Sequence, residues 1–178
     1  MSLTIRQETP VDYAAVEALI REAFTGAPHA SGKEWLLVQR LRGRPDFIGE
    51  LSLVAEQDRA CAGHVLFTPI AIVAANGGEH TSIALAPVSV LPRFQRCGIG
   101  SQLIRAGHEA AKRLGFTSSI VLGDPAYYSR CGYGKASQWQ IRAPFDVPDD
   151  AFMALELSPG ALSSVSGTVR YPPEFDGV

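Results

Sequence analysis

Residues 82–122 hold a strand, a glycine-rich turn, a helix and a second strand within about forty positions, and no other feature restricts the fold as tightly. Residues 82–91 are rich in Ile, Leu and Val, and Gln95-Arg96-Cys97-Gly98-Ile99-Gly100 forms the turn. Ile99, Leu103, Ile104, Ala111 and Leu114 recur at helical spacing over about 99–114, with Gly115 at C′. Residues 118–122 read as a buried strand. Strands joined through a helix are parallel, and helices cover such a sheet. The expectation is an α+β, layered architecture. Pro87 lies inside the first strand and cannot donate to a ladder, so pairing should fail there.

The flanking sequence fills in the layers. Residues 3–6 alternate as a strand, and Thr9, Pro10 and Asp12 open a helix as N-cap, N1 and first-turn acid. Ala15, Val16, Leu19, Ile20 and Phe24 form its apolar stripe. A second helix is predicted over about 33–41. Strands follow at 51–55 and 61–68 around a turn at 56–59, the second continuing through 70–74, and Asn76-Gly77-Gly78 marks a further turn. Gly123-Asp124-Pro125 opens a short helix to about Cys131; later strands are expected at 138–143, 152–157 and 167–171. The reading is one domain over 1–178, with its core in 1–157 and a turn and strand extension at 158–178.

Composition narrows the function classes. A chain 46% hydrophobic and only 19% charged is not disordered. A net charge of −2 without a basic stripe argues against a nucleic-acid partner. No apolar run approaches the ~18 residues of a membrane span, and MSLTIRQETP has no apolar core of a secretory signal. The 3 cysteines, Cys61, Cys97 and Cys131, form no C-x-x-C pair, and the 4 histidines show no metal-ligand spacing, so no metal is expected. A reduced, cytoplasmic setting follows as the simplest reading.

The turn carries the chemistry. Backbone N–H groups at a helix N-terminus attract a diphosphate, and Gly98 and Gly100 remove side chains that would block its approach. Arg93 and Arg96 lie beside it. A P-loop requires Gly-Lys-[Ser/Thr], which is absent; a dinucleotide fingerprint requires a third glycine where Leu103 stands. Gln-x-x-Gly-x-Gly after a strand does fit, and it resembles the acetyl-CoA signature of the GNAT acetyltransferase superfamily. Tyr128-Ser129-Arg130-Cys131-Gly132-Tyr133 resembles the Tyr-x-x-x-Gly-[Phe/Tyr] segment of the same superfamily, at the matching separation. Gly123-Asp124-Pro125-Ala126-Tyr127-Tyr128 and Tyr171-Pro172-Pro173-Glu174-Phe175 look like the YhbS-like group within it.

That resemblance implies the acyl-CoA N-acyltransferase fold, a mixed twisted sheet whose central parallel strands splay apart between helices. It implies acetyl-CoA as cosubstrate. Val88, Ser89 and Val90 would meet pantetheine, and Gln95, Arg96, Cys97, Gly98, Ile99, Gly100 and Ser101 would cradle the pyrophosphate. The reaction would be direct attack of an amine on the thioester, with a backbone donor near Val90 for the oxyanion and Tyr128 as general acid. The alternative for Tyr128 is a packed aromatic, with Tyr127 as the working residue. The base stays unassigned: 82–91 holds no carboxylate, and Glu34, Glu79, His80 and a water chain are the candidates. Asp124 reads as an N-cap, and His64 and His108 read as structural. The acceptor, a small-molecule amine or a protein amine, would meet residues 25–33 and 144–150, the second bearing Asp146, Asp149 and Asp150, with Trp35 and Trp139 lining the pocket or buried in the core. An edge strand near the C-terminus offers a route to a homodimer. The competing readings are a non-catalytic acyl-CoA-binding module and a nucleotide-binding domain.

Overall fold

The computed structural model describes residues 2–178 and divides into two compact units. The first comprises the chain up to Thr68, Ala86–Ala110 and Pro173–Val178; the second comprises Pro69–Leu85 and Ala111–Pro172.

In the first unit, β1 (Leu3–Gln7) pairs antiparallel with β2 (Ser52–Gln57), and β2 pairs antiparallel with β3 (Ala60–Val73). The β2–β3 turn is tighter than expected. Asp58 and Arg59 take φ of 51° and 68°, so two residues in the left-handed region close the hairpin without glycine. α1 (Tyr13–Phe24) and α2 (Glu34–Arg42) bury Val16, Leu19, Ile20, Leu37, Val38 and Leu41 against Val54, Leu66, Ala86 and Leu91. The 3₁₀ turn Pro10–Asp12 precedes α1, and the Asp12 carboxylate accepts from the Thr9 N–H at 2.8 Å and its hydroxyl at 2.9 Å. Residues 173–178 lie along α2: the Lys33 ammonium donates to the Gly177 carbonyl at 2.9 Å, Arg40 donates to the Asp176 carbonyl at 2.9 Å, and Arg44 pairs with Glu174.

A buried polar cluster ties these layers together. Glu8, Ser52 and His64 are 5%, 0% and 0% exposed. Arg42 grips the Glu8 carboxylate with two nitrogens, the Ser52 hydroxyl donates to it at 2.6 Å, and His64 Nε2 lies 3.0 Å from the Ser52 hydroxyl and 3.5 Å from Glu8. Burial pushes the Glu8 carboxyl up, but His64, Ser52 and Arg42 together hold it below its ordinary value. Burial pushes the His64 ring below its own, and Glu8 only partly offsets this. Both groups therefore bind fewer protons folded than unfolded. Stability from His64 is complete above the free imidazole value of about 6.5 and is lost as pH falls below it; that from Glu8 is lost lower, through the carboxylate range. Urea midpoints are expected to drop between about pH 7 and about pH 5, and a flat profile there would contradict the assignment.

In the second unit, β4 (Glu79–Val90) begins parallel to β5 (Ser118–Leu122), but the register covers only Ile83 with Ser119 and Ala84 with Ile120. β4 itself runs on through Pro87 to Val90 with β3 as its other neighbour, so the strand is not interrupted at the proline; the register with β5 is what ends, after Ala84. β5 pairs antiparallel with β8 (Phe152–Glu156) along its full length, and β6 (Gly134–Lys135) takes the other side of β8. β9 (Gly167–Arg170) pairs with Ala71, Ile72 and Val73 of β3 and with β7 (Ile141–Arg142). β6 has no counterpart among the expected strands, because two residues carry no periodicity. The strand expected at 138–143 shrinks to β7: Ala136–Trp139 is a 3₁₀ turn, and Gln140 at φ 58° breaks the extended path. α3 (Ile99–Arg113) ends sooner than its stripe suggests. The Gly115 and Phe116 N–H groups cap the carbonyls of Lys112 and Ala111, so Leu114 leaves the buried face and is 42% exposed.

Candidate functional site

The turn before α3 lies in the first unit. The Leu91 N–H donates to the Ala62 carbonyl at 3.0 Å, which ends β4 against β3, and the 3₁₀ turn Pro92–Phe94 redirects the chain. Gln95 then donates from Nε2 to the Val90 carbonyl at 3.0 Å. Through that bond the motif glutamine clamps the turn to the strand end. Arg96 at φ 59° and Gly98 at φ 81° curl the backbone. The first α-helical bond runs from the Gln102 N–H to the Gly98 carbonyl at 3.1 Å, so Ile99, Gly100 and Ser101 occupy the first helical positions, whose N–H groups have no acceptor within the helix. Gln95, Arg96, Cys97 and Gly98 are all exposed just before them. This donor set, with an arginine beside it, fits an anion such as a diphosphate.

Close packing under the turn depends on a residue that sequence reasoning missed. A Cβ on Gly63 of β3 would sit 2.9 Å from Leu103 Cδ1, 3.1 Å from the Ser89 carbonyl oxygen and 3.2 Å from Ile99 Cγ2. The close approach that a dinucleotide fingerprint obtains from its third glycine is here obtained from a glycine on the neighbouring strand. The run Ala62-Gly63 was the available signal. Ser89 is buried, and its hydroxyl has no hydrogen-bond partner among the described residues. Val88 and Val90 are half-buried.

Tyr128 lies in the second unit, at the end of α4 (Pro125–Tyr128). Asp124 caps this helix as expected, accepting from the Ala126 N–H at 2.9 Å. The Tyr128 ring is buried and makes near-perpendicular contacts with Tyr127, at 5.0 Å between centroids, and Tyr133, at 5.8 Å. Tyr133 spends its hydroxyl on the Ser119 hydroxyl at 2.8 Å. Tyr128 has no such bond to any described residue, so its O–H is available to a ligand. Burial pushes the Tyr128 phenol well above its ordinary value, which keeps the proton on and suits a donor.

The other named residues separate. Glu79 is bound to Arg170 at 2.8 Å, which lowers its carboxyl and makes it a poorer base. Glu34 Oε1 accepts from the Ser31 N–H at 2.6 Å, a local cap. His80 Nε2 lies 3.4 Å from the Ser118 hydroxyl. Ser52, His64 and Glu8 have the composition of a hydrolytic triad but not its geometry, since Ser52 and Glu8 both approach Nε2 while Nδ1 has no partner among the described residues. His108 packs on Phe67 at 5.5 Å. Trp35 helps line a cleft of about 200 Å³ with Arg21, Phe24, Thr25, Gly32 and Glu34, and the Arg21 guanidinium lies 3.6 Å above its ring. Trp139 packs against the core of the second unit, and Asp149 pairs with Lys135 at 3.2 Å. Among the described residues, no cluster of His, Cys, Asp and Glu could hold a metal, and no helix is long and apolar enough to cross a membrane.

Comparison with known proteins identifies the family. Residues 13–133 match the acetyltransferase (GNAT) family. The uncharacterised N-acetyltransferase YhbS of Escherichia coli K12 is 31% identical over 175 residues, covering 98% of this chain and 99% of the relative. YjhQ of the same strain, also an uncharacterised N-acetyltransferase, is 34% identical over 132 residues, covering 74% of this chain and 72% of its own. The crystal structure of Escherichia coli YhbS in complex with CoA is 31% identical and superposes with a TM-score of 0.85, covering 97% of this chain and 91% of that one. A GNAT family acetyltransferase from Brucella melitensis in complex with acetyl-CoA is 34% identical, with a TM-score of 0.79 over 98% of this chain and 99% of that one.

Proposed function

Because the chain belongs to the acetyltransferase (GNAT) family, we propose that it transfers an acetyl group from acetyl-CoA directly to a primary amine. The observation that carries this reading is the turn at the head of α3. Its N–H groups at Ile99, Gly100 and Ser101, the Gln95 clamp and the strand end at Val88, Ser89 and Val90 are what a diphosphate followed by an extended amide chain requires. When bound, acetyl-CoA supplies an activated acyl carbon and a thiolate leaving group. Arg96 and Cys97 contribute the exposed curl around the phosphates. The Val90 N–H is the donor proposed for the oxyanion, and Tyr128 gives its proton to the leaving sulfur. The cleft lined by Arg21, Phe24, Thr25, Glu34 and Trp35 is proposed to meet the acceptor, with Phe24 offering an apolar surface to its body.

The test compares ligands before substrates. Acetyl-CoA should raise the thermal midpoint while ATP and NAD leave it unchanged, and thiol release should then appear with at least one member of a panel of polyamines, arylalkylamines and peptide N-termini. Stabilisation by ATP or NAD instead would favour a nucleotide-binding domain. Acetyl-CoA binding with no turnover across the panel would favour a regulatory module.

A further inference from the structure

Two residues of the second unit meet the Tyr128 ring, and a third holds one of them. Gly123 follows β5 directly, and a Cβ there would lie 2.4 Å from Cε2 of Tyr128 and 3.0 Å from Cδ2. The Gly123 backbone is not in the left-handed region that favours glycine, so the ring, and not the turn, excludes a side chain. Tyr133 meets the same ring at 81°, is itself 3% exposed, and is tethered through its hydroxyl to Ser119. Ser119 is 0% exposed and sits on β5 at one of its two registered positions with β4, the most firmly held part of the strand. The Tyr133 N–H also donates to the Tyr128 carbonyl at 3.2 Å.

We propose that Gly123 and the Ser119–Tyr133 pair are positioning residues for Tyr128, fixing where its hydroxyl is delivered. A phenol has only two side-chain torsions, so a ring held at two contacts has its oxygen held as well. Gly123 opens the space the ring occupies. Tyr133 forms a second wall, and Ser119 anchors that wall to the sheet rather than to the end of a short helix. Proton transfer needs heavy atoms at hydrogen-bond distance, and a misplacement of about 1 Å costs on the order of 10²-fold, so such a wall serves rate rather than affinity. This inference rests on the proposed role of Tyr128 as the acid.

The test pairs each change with Tyr128→Phe. Tyr133→Phe keeps the ring and deletes only its tether, and Ser119→Ala deletes the other end. With acetyl-CoA, and tyramine or water as acceptor, each should lower kcat for thiol release about tenfold. The KM for acetyl-CoA and the calorimetric Kd for CoA should stay within about twofold. Neither change should lower the rate further once Tyr128 is Phe. A crystal structure of Gly123→Ala, which needs no acceptor, should show the Tyr128 ring displaced by about 1 Å or more with β5 unmoved. Wild-type kcat in Tyr133→Phe and Ser119→Ala beside an impaired Tyr128→Phe would overturn the positioning role alone. So would losses that add to that of Tyr128→Phe, or an unmoved ring in Gly123→Ala. A fully active Tyr128→Phe would overturn both the acid and its positioning.

Discussion

Tyr128→Phe is expected to lower kcat by about 10²-fold or more while leaving the affinity for CoA unchanged, the range in which a positioned general acid acts. The substitution removes one oxygen and keeps the ring that fills the space beside Gly123 and touches Tyr127 and Tyr133. No described residue loses a hydrogen bond, because none reaches the Tyr128 hydroxyl, so the thermal midpoint should hardly move. The direction of the phenol's shift sharpens the expectation. Burial raises its ionisation well above the ordinary tyrosine value, so the wild-type rate should show no alkaline loss attributable to this group through neutral and mildly basic pH. Steady-state rates and CoA calorimetry on the purified variant check both statements. An unchanged kcat assigns the proton to another donor.

Arg42→Met should cost about 3–5 kcal/mol of unfolding free energy, the scale for stripping one partner from a buried ion pair. The Arg42 and Glu8 side chains are 9% and 1% exposed. The arginine also lies 4.0 Å above the Tyr13 ring, so its removal empties a packed position as well as a charged one. Ser52 and His64 would remain beside Glu8, but neither carries a compensating charge at neutral pH. Glu8 should then take up a proton far more readily, so the gap between variant and wild type narrows as pH falls through the carboxylate range. Adding Glu8→Gln removes the stranded charge and should recover about half of the loss or more. Urea unfolding at two pH values measures all three effects. A single variant within about 1 kcal/mol of wild type would show that Glu8 finds water or another partner.

Much of the fold was legible in the chain because its signals are local. The order β4, turn, α3, β5 follows from one apolar run, one glycine pair, one amphipathic stripe and a second run, and all four elements stand where that pattern puts them. Pro87 pointed to a break in pairing near the end of β4, and the register with β5 does stop in that half of the strand, after Ala84 and three residues short of the proline. Asp124 was readable as a cap for the same kind of reason: its partner is two residues away. The errors share a cause too. Leu114 fits the α3 stripe, yet the helix ends before it; the 138–143 strand fails at Gln140; and β6 is too short to show any period.

The candidate site divides along the same line. Local geometry in the sequence determined the glycine-rich turn before α3, the position of Tyr128 after β5 and the family resemblance, because each depends on residues a few positions apart. Only the tertiary structure decided the rest. It showed that Gly63, more than thirty positions before the turn, makes room for α3, and that Gly123 is glycine for the sake of an aromatic ring. It showed that Gln95 holds Val90 and that Tyr133 is tied to Ser119. It also turned His64, an unremarkable strand residue, into part of a buried charge cluster with Glu8 and Arg42. Such roles arise from space and charge shared between segments distant in the chain, and side-chain packing between those segments leaves no periodicity in the sequence from which to read it.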